Sequence, residues 1–328
     1  MNLTTLKYLI AIAERGSVTA AAEAHYVTQP AVSIRLRKLQ DELEMPLVEL
    51  EGRRVRLTRA GEVVLGYAKR FVRLEEELMR EIGDLEGLDR GRIAIGTIDA
   101  ASAYVLPRVF SEFRRRYPGV DISLEVMATN PLLSELRAGR LDLVVGTLPI
   151  EGGGDLEIYP IYSERLLLVG HPAHPLARRR NLTSAALEGQ ALISFHEGAI
   201  TRRIIEAVLE AHGVSVRITM TTDSPEAIRN LVAAGLGLAI LPERVVRDGI
   251  RRRSIVEIRI PGLAFERTLG LIIPQRRYCS STVRAFLAVM AKGLAIDLPG
   301  RLVLGEERSA AAESRMKTRR RLKKRRIR

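Results

Sequence analysis

Apolar positions in residues 1–61 recur with the spacing of short helices. One stripe at three- and four-residue steps predicts a first helix that ends before Gly16, formed by Leu6, Leu9, Ile10 and Ala13. Ser17 can cap a second, alanine-rich helix, and a tight turn at 25–27 leads to a third helix. Pro30 lies in the first turn of that helix, where its missing N–H costs nothing. This order predicts a helix-turn-helix module.

The third helix has one apolar and one polar side. At about 100° per residue, one face collects Val32, Leu36, Leu39 and Leu43. Pro30, Ile34 and Arg37 point the opposite way, with Ser33 beside them. Such a helix fits the major groove of B-DNA, where Gln29 can bond an adenine edge and Ser33 and Arg37 can reach bases or phosphates. The polar side is therefore a candidate DNA-reading face.

A short hairpin is predicted at 52–58. It carries three arginines, Arg53, Arg54 and Arg56, which suit contacts to phosphates or the minor groove. A hairpin in this place would be the wing of a winged helix-turn-helix.

Five short runs add a more specific signal: AAAE at 20–23, VTQPAVS at 27–33, RKL at 37–39, LEMPL at 43–47 and LTRAG at 57–61. Together they resemble the signature of the LysR-type transcriptional regulators. The resemblance implies an N-terminal all-α winged helix-turn-helix over 1–61. It also implies a set of DNA contacts, namely Thr28, Gln29, Pro30, Ser33, Arg35, Arg37, Lys38, Arg53, Arg54 and Arg56.

Residues 62–88 are predicted to form one long linker helix. The segment lacks proline, and its apolar residues recur near a heptad seam: Val64, Tyr67, Phe71, Leu74, Leu78, Ile82 and Leu85. A stripe on a helix of roughly 36 Å needs a partner surface. That surface could be the chain's own core, but the family resemblance implies an antiparallel dimer of linker helices.

Strand-like and helical runs alternate over 91–298, which predicts an α/β body of two lobes. Lobe I is expected at about 91–163 and 268–298, and lobe II at about 164–267. Each lobe would be doubly wound, and two strand crossings would leave a cleft between them. This is the architecture of a periplasmic-binding-protein-like domain.

The same body could belong to a solute-binding protein or a small α/β enzyme. The fused DNA-binding module and the lack of a signal sequence argue against the first. For the second, the chain lacks a G-x-S-x-G elbow, a P-loop and a strand-borne G-x-G-x-x-G. His171 and His174 stand among prolines in a rigid loop, and Cys279 is expected to pack. We expect no catalysis, no cofactor and no metal.

The family resemblance continues through the body, for example in GRLDL at 139–143 and VAAGLGL at 232–238. It implies a small-molecule effector held in the cleft after the first strand, at the helix start near 129, at the lobe crossing and in the loop 196–201. The residues concerned are Ile98, Asp99, Ala100, Ser102, Thr129, Asn130, Thr147, His196 and Thr201.

The charge distribution adds one feature, a basic segment at the C-terminal end of the sequence. The 328 residues carry a net charge of +13, but ten Lys/Arg and no acid fall within 315–328. The segment 299–328 is predicted to be a disordered basic tail. It is either a solvated extension or an auxiliary tether to nucleic acid or a membrane surface. One cysteine, no long apolar run and no signal peptide predict a soluble protein of a reducing compartment, hence the cytoplasm.

These observations favour a sequence-specific transcriptional regulator whose DNA contacts respond to an effector. Its expected partners are double-stranded promoter DNA, a small-molecule effector, further copies of itself in a homodimer or homotetramer, and RNA polymerase, without a membrane. Two alternatives remain open: a constitutive nucleoid or RNA-binding protein with a vestigial cleft, and a cytosolic small-molecule carrier.

Overall fold

The computed structural model describes residues 2–51, 54–85, 91–275 and 279–303, and it forms two compact units, 1–85 and 86–328. The disordered basic tail predicted at 299–328 starts too early, because Gly300–Leu302 form a 3-10 turn and Leu302 is buried. The rest of the predicted tail, beyond 303, lies outside the described residues. The first unit contains α1 (Leu3–Arg15), α2 (Val18–Ala24), α3 (Gln29–Leu43), β1 (Val48–Glu51), β2 (Arg54–Leu57) and α4 (Arg59–Leu85).

Local signals start and stop the short helices of the first unit. Ser17 Oγ accepts a hydrogen bond from Ala20 N at 3.3 Å, as its predicted capping role requires. Gly16 ends α1 with φ of 65°, a left-handed conformation that glycine adopts at little cost. Leu9, Ile12, Val32 and Leu39 are among the residues of the core between these helices. Leu43 was predicted on that buried face but is substantially exposed, because it lies in the last turn of α3.

The wing and α4 are tied together at Thr58. Its hydroxyl donates to Pro46 O at 2.6 Å and accepts from Gly61 N at 3.0 Å. Thr58 thereby caps α4, which begins at Arg59, three residues before the predicted start of the linker. A Cβ on Gly61 would lie 2.0 Å from Leu47 O, so only glycine fits where α4 meets this loop.

The apolar stripe of α4 is uncovered within its own unit. Leu74 is 61% exposed and Leu78 is 54% exposed, and the exposed set also includes Val63, Tyr67, Phe71, Met79 and Ile82. Most of the predicted seam therefore faces away from the core of unit 1–85, as a partner-binding stripe would.

The second unit is built on a seven-stranded mixed sheet. Its strands are β3 (Gly91–Thr97), β4 (Val120–Val126), β5 (Leu143–Leu148), β6 (Leu156–Gly170), β9 (Ala239–Pro242), β10 (Val256–Glu257) and β11 (Phe265–Pro274). The order is β10-β6-β11-β5-β3-β4, with β9 also paired to β6. A separate parallel pair joins β7 (Ala191–Ser194) to β8 (Arg217–Thr221).

Helices cover the sheets and build two cores, one for each lobe. They are α5 (Asp99–Tyr104), α6 (Pro107–Arg116), α7 (Thr129–Arg137), α8 (Ile200–Ala211), α9 (Pro225–Ala233), α10 (Glu243–Arg251) and α11 (Ser281–Leu294). The helices α5 and α6 lie on either side of Val105 and Leu106.

The lobes are joined by two long antiparallel strands, in agreement with the two predicted strand crossings. β6 and β11 pair from Phe265 with Leu166 to Pro274 with Leu156, passing from one lobe core to the other. The expectation of doubly wound lobes needs correction, since within the seven-stranded sheet only β5, β3 and β4 are parallel neighbours. In the first half of β6, polar residues and Pro160 interrupt the alternation that is typical of a strand.

None of the described helices is both long enough and apolar enough to cross a membrane.

Candidate DNA-binding and effector sites

The start of α3 presents polar side chains outside the core of the first unit. Thr28, Gln29 and Pro30 are exposed, while Val32 and Leu36, from the same helix, are buried. Gln29 Nε2 donates to Ser33 Oγ at 2.9 Å, one turn along α3. This bond aligns two hydrogen-bonding groups along one edge of the helix before any DNA is present.

Three of the predicted basic contacts lie on α3. Arg37 and Lys38 are exposed on the following turns of α3. Arg35 faces a different way, with its guanidinium carbon 6.0 Å from the centre of the Tyr8 ring. The helix thus groups Gln29, Ser33 and Arg37 on one side and turns Arg35 toward α1.

A hairpin is present, but it begins four residues before the predicted range of 52–58. Its strands β1 and β2 pair from Val48 with Leu57 to Glu51 with Arg54. Arg56 is exposed on β2. Arg53 and the side chain of Arg54 lie outside the described residues. Sequence reasoning missed Gln40, whose Oε1 accepts from Leu47 N at 2.8 Å and from Val48 N at 3.3 Å. Gln40 holds the start of the wing to α3.

In the second unit, the Thr129 side chain accepts the backbone hydrogen bond of Thr147 that a neighbouring strand would otherwise accept. β3 pairs with β5 only as far as Val145, which leaves the next N–H groups of β5 without a ladder partner on that side. Thr129 Oγ1 accepts from Thr147 N at 3.0 Å, and both residues are buried. Thr129 is the first residue of α7 and makes this bond instead of a capping bond.

Two other predicted effector residues connect to the second lobe. Asn130 Nδ2 donates to Gly198 O at 3.2 Å, which joins the start of α7 to the loop 196–201. The side chain of His196 is exposed, and its backbone N donates to Asp223 Oδ1 at 3.3 Å. Thr201 is buried near the N-terminus of α8. The predicted helix start and second-lobe loop are therefore in contact.

A buried ion pair that the sequence did not reveal adjoins Thr201. Arg267 on β11 and Glu164 on β6 have side chains 2% and 6% exposed. Arg267 Nε donates to Glu164 Oε1 at 2.8 Å, and Arg267 Nη1 donates to Thr201 Oγ1 at 3.0 Å. Burial lowers the pKa of Arg267 from its usual value, while the negative charge of Glu164 opposes that shift.

The third nitrogen of this guanidinium lacks a hydrogen bond of good geometry. Arg267 Nη2 is buried and lies 2.7 Å from Glu164 Oε1, yet it forms no well-aligned bond to any described group. A buried donor without a well-aligned acceptor costs free energy. The signal in the sequence was a single arginine at an inward position of β11, between buried Phe265 and Leu269.

The segment after β3 lies against lobe II through other contacts. Burial and the nearby Glu226 carboxylate both raise the pKa of Asp99, while a hydrogen bond with Ser224 opposes them. Tyr104 donates to Glu226, and burial with this bond raises the pKa of Tyr104 to about 12. Ser102 Oγ donates to Asp99 O at 2.7 Å, inside α5, and Ile98 and Ala100 are buried. No described hydrogen bond joins these residues to Thr129 or Thr147.

The histidine loop is ordered by its own backbone. His171 Nδ1 accepts from Ala173 N at 3.1 Å and His174 Nδ1 accepts from Leu176 N at 3.2 Å. Burial lowers the pKa of His174. These bonds account for both histidines as turn-forming residues, in the rigid loop that the prolines predicted. Within the described ranges, no group of three metal-binding side chains occurs.

A helix-turn-helix with a wing, followed by a two-lobed α/β unit, defines a ligand-responsive DNA-binding regulator, and comparison with known proteins identifies the family. Residues 3–62 match the model for bacterial regulatory helix-turn-helix proteins of the LysR family, and residues 86–295 match the LysR substrate binding domain. The chain belongs to the LysR family of transcriptional regulators. It is a regulator with an effector-binding domain and not an enzyme.

Relatives and solved structures agree with this assignment. A probable RuBisCO transcriptional regulator of Trichormus variabilis is 33% identical over 290 residues, covering 87% of this chain and 86% of the relative. Full-length CbnR in complex with its target DNA has a TM-score of 0.63 at 26% identity, covering 90% of this chain and 99% of CbnR. The regulatory domain of Synechocystis CcmR in complex with 2-PG has a TM-score of 0.57 at 27% identity, covering 62% of this chain and 98% of the CcmR domain.

Proposed function

We propose that the second unit binds a small organic anion between its lobes, at Arg267, and that this binding changes how the first unit holds promoter DNA. The observation that carries the proposal is the buried Arg267 guanidinium, whose Nη2 forms no well-aligned hydrogen bond to a described group. A carboxylate or phosphate oxygen would complete its hydrogen bonds, and charge-assisted bonds of this kind are strong.

The surroundings of Arg267 support an anion at this place. Thr201, which accepts from Arg267, is the second residue of α8, and the N-terminus of a helix attracts negative charge. Thr147 pairs with Leu269, two residues from Arg267 along β11, so their side chains project from the same face of the sheet. The effector would therefore lie near Arg267, Thr201 and Thr147. The hydrogen bond from Asn130 to Gly198 would couple effector binding to the loop 196–201.

Similarity to CcmR suggests a first ligand to test. The 2-PG named in that complex is a phosphorylated carboxylate, the class of ligand that a buried arginine and a helix N-terminus would select. The names of the RuBisCO regulators suggest promoters of RuBisCO genes as the DNA to test. We infer further that Gln29, Ser33 and Arg37 read bases, that the wing arginines hold phosphates, and that the regulator acts on RNA polymerase in the cytoplasm.

Calorimetry on the full chain tests the ligand proposal. We expect saturable binding of 2-PG to wild type and at least about tenfold weaker binding to Arg267→Lys, because lysine cannot reproduce the planar donor set. Arg259→Lys is the matched control, since Arg259 is exposed and pairs with Glu257 at 2.9 Å. Melting curves show whether each variant folds. Absence of 2-PG binding to wild type, or equal affinity in Arg267→Lys, would refute the proposal.

A further inference from the structure

The turn between α2 and α3 places a tyrosine in an unfavourable backbone conformation. Tyr26 has φ of 54°, in the left-handed region that favours glycine and penalises a bulky side chain. The turn itself does not need a tyrosine. Its hydrogen bonds come from the backbone, with Tyr26 N donating to Glu23 O at 3.1 Å and Val27 N donating to Ala22 O at 3.0 Å.

No packing offsets this strain. Tyr26 is 97% exposed, so its ring buries almost no area against the first unit. The neighbouring residues secure the turn instead. His25 stacks edge-on against the Tyr8 ring at 5.1 Å, and Val27 packs on the core. A strained backbone conformation that does not stabilise the fold is found mainly at functional sites. Here the strained residue is a tyrosine whose hydroxyl is exposed.

Tyr26 stands beside the DNA-reading edge of α3. It precedes Gln29 by three residues, and the exposed positions Thr28, Gln29 and Pro30 continue the same surface toward the helix. When the start of α3 enters the major groove, the turn before it comes to the phosphates that border the groove. Tyrosine hydroxyls are among the usual donors to DNA phosphates.

We propose that Tyr26 is a DNA-backbone contact, whose hydroxyl donates a hydrogen bond to a phosphate next to the groove that α3 occupies. A neutral donor differs from the arginines of the wing, because it binds phosphate without replacing a counterion. The contact would strengthen binding to operator and random DNA by the same factor and would leave the salt dependence unchanged.

Two variants of the full chain separate the hydroxyl from the backbone strain. Tyr26→Phe removes the hydroxyl and keeps the strained turn, whereas Tyr26→Gly removes the side chain and relieves the strain. We expect both to bind operator and random DNA about two- to tenfold more weakly, the range for one hydrogen bond. Tyr26→Gly should nevertheless melt at a temperature no lower than wild type. Tyr159→Phe, at a half-buried tyrosine of β6 in the second unit, is the control for loss of a phenol hydroxyl outside the DNA-binding module.

Each other outcome would overturn the proposal. Wild-type affinity in Tyr26→Phe would exclude the hydroxyl, even if Tyr26→Gly were weaker. Loss of affinity for operator alone would indicate base reading instead of a phosphate contact. A flatter slope of log affinity against log salt would mean that the substitution had disturbed charged contacts of the wing.

Discussion

The DNA-reading edge of α3 and the Arg267 cluster are both polar, but they are built in opposite ways. The α3 edge joins Gln29 to Ser33 within one helical turn, on a surface that is exposed before ligand binds. The Arg267 cluster joins Glu164, Thr201 and Arg267 across 66 and 103 residues of sequence, in a buried site between lobe elements. One site can lose a side chain without disturbing the fold, whereas the other site is part of the fold.

That difference predicts a graded series of effects on stability. Removing one partner of a buried ion pair should lower the free energy of unfolding most, and shortening a side chain on an exposed helix edge should lower it least. Placing charge in an exposed apolar stripe should instead change the oligomeric state. Discrimination between operator and random DNA should change in the reverse order, most for the variant on the exposed helix edge and least for the variant of the buried ion pair.

Arg267→Ala should have the largest effect, because it leaves Glu164 buried without a partner. We expect a loss of about 3–5 kcal/mol in the free energy of unfolding of the second unit. Urea unfolding followed by circular dichroism measures it. The double variant Arg267→Met/Glu164→Leu should recover most of that loss, because it removes both charges. A single variant within about 1 kcal/mol of wild type would mean that the pair is hydrated rather than buried.

Leu74→Glu/Leu78→Glu should act on assembly, because it introduces charge into the exposed stripe of α4. If this stripe is the dimer seam, burying the two carboxylates would cost on the order of several kcal/mol and the chain should sediment as a monomer. Leu50→Glu, at another exposed leucine outside α4, should leave the oligomer intact. An unchanged oligomer in the α4 variant would remove this stripe from the interface.

Thr129→Val should have an intermediate effect. It deprives the buried Thr147 N–H of its acceptor, at a cost of about 1–3 kcal/mol with or without effector. Calorimetry with 2-PG separates that structural role from ligand contact. Thr147→Val keeps this backbone bond, so a loss of affinity in Thr147→Val at normal melting temperature would assign Thr147 to the ligand. Normal affinity in both variants would remove both threonines from the proposed effector site.

Gln29→Ala should change stability least, by no more than about 0.5 kcal/mol, because the side chain is exposed. It should instead reduce discrimination between operator and random DNA by roughly 1–3 kcal/mol. Competition binding with the two DNAs measures the ratio. An unchanged ratio would show that Gln29 does not face the bases.

The same contrast explains what could be predicted from sequence. The face of α3, the cap at Ser17 and the stripe of α4 depend on residues within a few turns of one another, so helical periodicity was sufficient. Thr129, Thr147 and Thr201 were named through family resemblance, but their partners depend on sheet register. The bond from Thr129 to Thr147 exists because β3 ends before β5 does. Arg267 was missed because no local sequence pattern identifies an inward-facing arginine in an apolar strand.

The central claim is that DNA reading and effector sensing reside in these two separate sites. Fluorescence anisotropy of an operator fragment, with and without 2-PG, tests it in Gln29→Ala and in Arg267→Met/Glu164→Leu. The account predicts that Gln29→Ala loses operator discrimination but keeps the wild-type change in affinity on adding 2-PG, whereas the double variant keeps discrimination and loses that change. A double variant that still responds to 2-PG like wild type would contradict the account.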